Sequence, residues 1–195
     1  MSGVQWERVA FRRDGSGRFS LAGEASQDIL AWPVVLVDWH AASAYAGWRA
    51  AETGKPWRLP GDLEREKAAR GVDGRVYPWG NHLDPTFACV LEAHPAEPVR
   101  ARVDAHPDDQ SPHGARGLAG NVRDWCLEAW RADGPRTPGD RLVLDAAGAG
   151  EPDFRAVRGG AWSSPAALAR SAARFGNRST DRRENIGVRL ARSFP

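Results

Sequence analysis

Residues 114–126 read GARGLAGNVRDWC, and this stretch with its surroundings decides the fold. It lies in a segment, residues 71–155, where hydrophobic periodicity fails and Gly, Pro, Asp and His recur. Because Trp79, Trp125 and Trp130 lie in that segment, we predict an ordered loop region rather than disorder. A loop of this length inside a compact domain is usually functional or is held in place, for example by a metal ion.

Regular elements are predicted on both sides of this loop region. Alternating or apolar runs indicate strands over residues 4–11, 18–21, 155–162, 169–175 and 186–192. The first two would be joined by turn residues, and residues 33–37 (PVVLV) indicate a short apolar strand or an extended entry. Helical spacing predicts helices over residues 39–53 and 62–70, closed by Gly54 and Gly71. Asp38 is expected to cap the first helix, with Ala41, Ala42, Tyr45 and Trp48 on one face.

The composition is that of a globular protein with one domain. The 195 residues are 42% hydrophobic and 27% charged, which allows a core without disulfides. The two cysteines, Cys89 and Cys126, exclude a disulfide scaffold and a four-cysteine zinc site. A formal net charge of +2 without a dense basic block predicts neither a nucleic acid nor a membrane as partner. No apolar run could serve as a signal peptide or a transmembrane helix, so a cytoplasmic monomer is expected.

Four segments occur in an order that is known from one family. They are PVVLVDWHAASAYAGW (33–48), RLPGDLEREKAARGVDGRVYPWG (58–80), GARGLAGNVRDWC (114–126) and RAVRGGAW with its downstream strands (155–193). Together they resemble the formylglycine-generating enzymes and their sulfatase-modifying-factor relatives. The resemblance implies an α+β, C-type-lectin-like fold with few strands, two main helices and extensive ordered loops. We expect a single globular domain, with residues 33–195 as the enzyme-like part and residues 1–32 as an N-terminal strand or hairpin segment.

The residues for the family's oxidase activity are missing. The oxidases bind copper through two cysteines after the GG-(S/A)-(W/Y) segment, and thiolates are the ligands that Cu(I) prefers. Residues 159–170 (GGAWSSPAALAR) contain no cysteine, histidine or methionine, so we expect no catalytic residues and no copper. Related sulfoxide synthases use histidine-bound iron, but the five histidines show no pairing at i,i+4, and an iron site is not expected: His40, His82, His94, His106 and His113.

Calcium is the metal that the resemblance implies. Family members hold it in ordered loops with carboxylates and backbone carbonyls, the oxygen ligands that a hard cation prefers. The AGNVRDW match gives one site, with the carboxylate of Asp124 and the carbonyls of Gly120 and Val122. Gly117 stands where the family often has Asp or Asn. A buried carboxylate bonded to loop N–H groups is the alternative interpretation of Asp124.

A second calcium site of the family maps to the VDAH stretch. There the resemblance implies the carboxylate of Asp104 and the carbonyls of Val90 and His106 as ligands. Cys89 takes the place of the usual Asn. Without the resemblance, both cysteines are most simply interpreted as small, buried hydrophobic residues.

Because the catalytic cysteine pair of the family is missing, the sequence favours a non-catalytic module that binds a protein or another ligand through the surface of residues 162–185. Small, polar and irregular residues on a braced scaffold make adaptable contacts. The candidate ligand-binding residues are Ser163, Ser164, Ala166, Leu168, Phe175, Asn177, Arg178, Ser179, Thr180, Arg183 and Asn185. In family members that are variable proteins of diversity-generating retroelements, this segment differs between copies.

Two alternatives stay open at this point. One is a regulatory or interaction domain of a kinase-linked signalling protein, since family members often follow kinase domains. The other is a metal-dependent oxidase that acts on thiols through ligands foreign to the family. Among the remaining residues, three tryptophans are expected in the core: Trp79, Trp125 and Trp162. Four arginines alternate with apolar residues and indicate a solvated or salt-bridged sheet face: Arg158, Arg170, Arg174 and Arg189.

Overall fold

A computed structural model describes most of the chain. The described residues are 11–13, 15–16, 19–21, 31–135, 137, 139, 144 and 153–193. They belong to two compact units, residues 1–32 and residues 33–195. In the first unit, β1 (Phe11–Arg13) pairs antiparallel with β2 (Phe19–Leu21), as the predicted hairpin requires. The strand expected over residues 4–11 lies outside the described residues apart from Phe11.

Two helices in the second unit have the bounds that the sequence predicts. Helix α1 spans Trp39–Thr53, and its first turn is capped by Asp38, whose Oδ1 accepts the N–H of Ala41 at 2.8 Å. It ends at Gly54, in the left-handed conformation that favours glycine. Helix α2 spans Asp62–Arg70, and the carboxylate of Glu64 accepts the N–H of Gly61 at its start.

The buried face of α1 differs from the expected one. Trp39, Ala42 and Ala46 point into the core, whereas Tyr45 and Trp48 are 46% and 54% exposed. The rings of Tyr45 and Trp48 lie against each other with their centroids 5.6 Å apart. The helix therefore approaches the core mainly through alanines, which allow close packing, and leaves two aromatic side chains outside.

Two small sheets organise the second unit. The larger has the order β6–β5–β4–β7 and contains β4 (Arg123–Ala129), β5 (Phe154–Arg158), β6 (Arg174–Arg178) and β7 (Ile186–Gly187). Strand β5 is antiparallel to both neighbours, and β7 is parallel to β4. The smaller sheet pairs β3 (Trp57–Arg58) antiparallel with β8 (Ala191–Arg192).

The strands of the C-terminal part are shorter than predicted. Residues 166–169 form a 3₁₀ turn, and β6 begins only at Arg174. The run predicted over 186–192 is divided between two sheets, as β7 and β8. Residues 33–37 form the extended entry, because only Val35 makes a bridge there, to Gly187.

The core consists of two clusters. Trp125 is fully buried in the first, with Trp39, Ala42, Leu59, Val157 and Ile186. The second holds Tyr77, Ala88, Val90, Ala119, Ala166 and Ala169, with the half-buried Trp79 against it. The indole N–H of Trp125 donates to the carbonyl of Val37 at 3.0 Å, which satisfies the ring's polar atom as burial requires. Trp162 is only half-buried, so its placement in the core is a correction.

The long loop region is packed by close backbone approaches. A Cβ at Gly120 would lie 2.6 Å from the carbonyl oxygen of Cys89, and one at Gly160 would clash with the carbonyl of Ala119. Glycine is therefore required where these backbones meet. Within the described part of the chain, no helix is both long enough and apolar enough to cross a membrane.

Candidate functional site

A buried carboxylate holds the glycine-rich loop in place. Asp109 is 1% exposed and accepts the backbone N–H groups of Leu118, Ala119 and Gly120 at 3.0–3.1 Å. Burial raises the pKa of this carboxyl, and the three N–H groups oppose that rise only in part. The sequence analysis offered such a carboxylate at Asp124, as the alternative to a calcium ligand, and missed Asp109. The only local signal, an Asp before a turn-rich stretch, is shared by Asp108.

Asp124 lies between two arginines rather than among N–H groups. Its Oδ2 accepts from Arg65 Nε at 2.7 Å and from Arg189 Nε at 3.0 Å. Burial alone would raise the pKa of Asp124, but the charges of Arg189 and Arg65 outweigh it and lower that pKa. The same two guanidinium groups donate to the carbonyls of Leu118 and Gly117.

This arrangement does not fit a calcium ion at Asp124. Calcium takes about six to eight oxygen ligands and needs their negative charge. Here Arg65 and Arg189 already neutralise the carboxylate, and they bond to carbonyl oxygens of the same loop. Gly120 and Val122, the expected carbonyl ligands, are both buried. Two arginine side chains already bind the carboxylate oxygen Oδ2 that a calcium ion would need.

The residues of the second expected calcium site, Asp104, Val90 and His106, already have other partners. Asp104 is exposed and pairs with Arg102 at 3.2 Å, while Val90 is buried and His106 half-buried. The carbonyls of Val90 and His106 accept backbone N–H groups from Ala93 and Asp109. Among the described residues, no three His, Cys, Asp or Glu side chains are grouped as metal ligands. Calcium at this set stays a prediction.

A second buried charge cluster joins α2 to the sheet. Asp62 accepts from the guanidinium groups of Arg158 and Arg174, and Arg158 also pairs with Glu66 at 2.8 Å. Arg158 and Asp62 are almost completely buried, so this part of the predicted arginine row is an internal ion-pair network, not a solvated face. Arg170 differs from the others, since its Nε donates to the carbonyl of Ala167.

The expected binding residues divide into three groups. Four are exposed: Ser163, Arg178, Thr180 and Arg183. Four are half-buried: Leu168, Phe175, Asn177 and Asn185. Three are buried, which corrects their assignment to the surface: Ser164, Ala166 and Ser179. Their side chains support the surface from inside, so a binding role stays a prediction only for the other eight.

Arg123 lies under this surface and was missed by the sequence analysis. Its Nη2 donates to Ser164 Oγ at 2.7 Å, and its guanidinium carbon lies 4.2 Å from the centroid of the Phe175 ring. Its backbone N–H donates to the carbonyl of Asn185 at 2.9 Å. Burial lowers the pKa of Arg123, and the nearby charge of Arg183 lowers it further. Because neighbours on a strand face opposite sides, Arg123 points away from the Asp124 cluster.

Comparison with known families agrees with this fold. The sequence model of the sulfatase-modifying factor enzyme 1-like domain matches residues 2–194. The chain belongs to this family. The α+β fold expected from the resemblance is confirmed, because solved structures of similar architecture cover nearly the whole chain.

Curated relatives include both catalytic and non-catalytic members of the family. The inactive C-alpha-formylglycine-generating enzyme 2 of Mus musculus is 31% identical over 96% of this chain and 57% of its own length. The formylglycine-generating enzyme of Streptomyces coelicolor is 32% identical over 97% of this chain and 58% of its own length. The chain thus spans little more than half the length of these relatives.

Two solved structures show the same fold. PvdO from Pseudomonas aeruginosa has a TM-score of 0.73 and 26% identity, covering 96% of this chain and 72% of its own. Treponema denticola variable protein 1 has a TM-score of 0.68 and 21% identity, covering 82% of this chain and 70% of its own. The second likeness concerns the fold alone.

The two thiols of this family member are buried. Cys89 and Cys126 are both in the core, and burial raises the pKa of Cys89 to about 11 and that of Cys126 well above its ordinary range. The Sγ of Cys89 lies 3.6 Å from Nε2 of His94, and that of Cys126 lies near the Asp124 carbonyl. A protonated, enclosed thiol is neither a good nucleophile nor a good metal ligand.

Proposed function

We propose that this chain is a non-catalytic binding module in which the family scaffold presents the surface of residues 162–185 to a protein or another ligand. The observation that carries the proposal is the placement of thiols. Residues 159–170 contain none, and the two thiols of the chain are buried with raised pKa values. Oxygen activation by the family's copper chemistry needs two accessible thiolates, and this chain offers no such pair.

The architecture of the surface supports the same proposal. Its exposed members stand on a frame that is tied down from inside: Ser164 and Ser179 are buried, and Ile186 is fully buried in the core. The exposed side chains are tied to it by a few hydrogen bonds, such as that from Asn185 Nδ2 to Ser163 Oγ at 3.2 Å. Rigid backbone with adaptable polar side chains suits recognition, because little ordering entropy is lost on binding.

The retroelement subtype is a finer part of this proposal. Treponema denticola variable protein 1 has the same fold, and we propose that this chain is likewise a variable protein whose copies differ in residues 162–185. Sequencing of the gene's surroundings tests it. A reverse transcriptase with a near-repeat of the 3′ coding end is expected, and an intact upstream kinase gene would favour the kinase-linked alternative.

A direct enzymatic assay tests the non-catalytic part. The protein is incubated with copper, a reductant and a CxPxR-type peptide, and aldehyde formation and oxygen uptake are measured. We expect no turnover above that of copper alone. Turnover that disappears in a Cys126→Ser variant, but persists after removal of free copper in the wild type, would overturn the proposal.

A further inference from the structure

We propose that Arg123 receives a carboxylate group of the ligand at the centre of the surface formed by residues 162–185. The inference rests on the proposed binding function and names the chemistry that this surface recognises. Carboxylates reach such a site either as free small acids or as Asp and Glu side chains of a protein. Both sources present the same planar monoanion.

Arg123 makes no ion pair with any of the described residues, unlike four other arginines of the interior. Arg65, Arg158, Arg174 and Arg189 each pair with Asp62, Glu66 or Asp124 at hydrogen-bond distance. The guanidinium of Arg123 makes one hydrogen bond in the described part of the chain, and its acceptor is the neutral hydroxyl of Ser164. Its Nε is buried without a partner among those residues. A partly buried charge left without an opposite charge is costly, and an incoming anion removes that cost.

The guanidinium is held in one orientation before any ligand arrives. The ring of Phe175 covers one of its sides, Ser164 Oγ fixes Nη2, and the backbone of Arg123 is tied to Asn185. Planar Arg groups bind carboxylates through parallel N–H donors, so a fixed plane gives specificity as well as affinity. Less side-chain entropy is lost when the ligand binds.

Neighbouring groups add a donor at the rim. Ser163 is exposed, and its hydroxyl oxygen accepts from Asn185 Nδ2 at 3.2 Å. No acceptor for the hydroxyl hydrogen of Ser163 occurs within the described ranges, so that hydrogen can be donated to a carboxylate oxygen. Because Asn185 is bonded to both Ser163 and the backbone of Arg123, the donor and the cation belong to one connected group.

The charge at the site selects a monoanion. Arg183, whose charge acts on Arg123, already pairs with Asp181 at 3.0 Å, and Arg182 pairs with Asp38 at 2.8 Å. Within the described ranges, these pairs leave Arg123 with one uncompensated positive charge. A carboxylate matches that charge, whereas a phosphate dianion would bring a second negative charge without a cation to meet it. The geometry therefore favours carboxylate over phosphate.

The experiment follows two NMR signals during titrations at constant ionic strength: the Arg123 Nε–H resonance, and the backbone N–H resonance of the adjacent Ser164, which gives the affinity in the variants at position 123. The probes are sodium acetate, a blocked glutamate-rich peptide, the matching glutamine-rich peptide, inorganic phosphate and sodium chloride. The Nε–H resonance is assigned from its absence in Arg123→Met. Arg49→Met, on the exposed side of α1, is the matched control that also removes one positive charge.

We expect saturable shifts with acetate or with the glutamate-rich peptide. The affinity should be at least about tenfold weaker in Arg123→Met and unchanged in Arg49→Met. If acetate and the glutamate-rich peptide bind with similar affinity, the site recognises the carboxylate group alone. If the peptide binds much more tightly than acetate, the ligand is a protein. No saturable shift with either carboxylate, equal affinity in Arg123→Met, or tighter binding of phosphate would overturn the inference.

Two safeguards keep these outcomes distinct. Arg123→Met keeps the apolar stem over Phe175, and Arg123→Lys keeps the charge but loses the planar fork, so an intermediate affinity is expected for Lys in a folded protein. If the Met variant unfolds, the Lys variant alone decides, and affinity equal to the wild type contradicts the inference. Oxidase turnover would overturn the proposed function and leave the titration unaffected, whereas a failed titration overturns only the role of Arg123.

Discussion

Arg65 Nε lies 2.7 Å from Asp124 Oδ2, and the two side chains are only 2% and 4% exposed. This pair joins helix α2 to strand β4 across the interior. The same carboxylate also binds Arg189, close to the end of the chain. Three separate parts of the sequence are therefore held at one oxygen atom, in the place where the family resemblance suggested a metal.

The first prediction concerns this carboxylate. Asp124→Asn removes the paired carboxylate of the buried Arg65 and the half-buried Arg189, and we expect a loss of roughly 3–5 kcal/mol in the free energy of unfolding. The measurement is urea unfolding followed by tryptophan fluorescence. Asp104→Asn, which alters an exposed pair, is the matched control and should leave the unfolding midpoint unchanged. Equal midpoints for the Asp124 variant and the wild type would contradict the account.

Calcium addition provides a second test. Because Arg65 and Arg189 neutralise Asp124, we expect that an Asp104→Asn variant, which lacks the carboxylate of the second expected site, has the same melting temperature in calcium and in EGTA to within about 1 °C. If calcium raises the melting temperature of the wild type, this variant identifies the site. Loss of the effect in that variant places the ion at the second expected set, and its persistence with one bound ion per chain contradicts the interpretation of Asp124.

The third prediction compares two tryptophans of different burial. Trp125→Ala removes a fully buried ring and should cost roughly 3–5 kcal/mol of stability, because it leaves a cavity and removes the hydrogen bond to the carbonyl of Val37. Trp48→Ala, at an exposed position on α1, should change stability by no more than about 0.5 kcal/mol. Thermal melts of both variants check this. A Trp48 variant as unstable as the Trp125 variant would show that the exposed side of α1 is covered in solution.

A pH dependence follows from the cap of α1. The N–H of Ala41 and the guanidinium of Arg182 stabilise the ionised form of Asp38 and lower its pKa. A lowered folded-state pKa contributes stability that is present above the unfolded pKa of about 3.9 and is lost as the pH falls through the folded value. Asp38→Asn keeps the cap but not the charge. We therefore expect wild type and variant to differ in stability at pH 7 and to converge as the pH falls below about 3.9.

Convergence is measured as the difference between urea midpoints at pH 7, 5, 4 and 3. A difference that stays constant over this range would show that the charge of Asp38 contributes nothing to folding. A difference that grows as the pH falls would have the wrong sign for a lowered pKa.

Local signals predicted the helices well, and long-range contacts explain what the sequence left open. The cap of α1 and its end are encoded by Asp38 and Gly54, which are adjacent to the helix. The buried face of α1 was predicted less well, because alanine and aromatic residues occur on both sides. Only the contact with Trp125 and Ile186 decides that Trp39 is inside and Trp48 outside.

The site residues show the same division. Asp109 and Asp108 are equivalent in sequence, and only the three N–H groups of residues 118–120 distinguish them in the structure. Arg123 belongs to the motif that carries the family resemblance, and its sequence neighbours do not distinguish it from the other arginines of the chain. Whether an arginine makes an ion pair depends on which carboxylates lie near it in space, and a sequence does not show that.

The most direct test of the binding surface is differential capture by two variants of equal charge. Immobilised wild type, Arg178→Ala/Arg183→Ala and Arg49→Ala/Lys55→Ala are each incubated with lysate of the source organism, and bound proteins are quantified by mass spectrometry. Each variant removes two exposed positive charges from the chain. We expect a partner that is retained by wild type and by the Arg49/Lys55 variant and is lost from the Arg178/Arg183 variant. Equal retention by both variants, or loss only from the Arg49/Lys55 variant, would contradict a binding surface at residues 162–185.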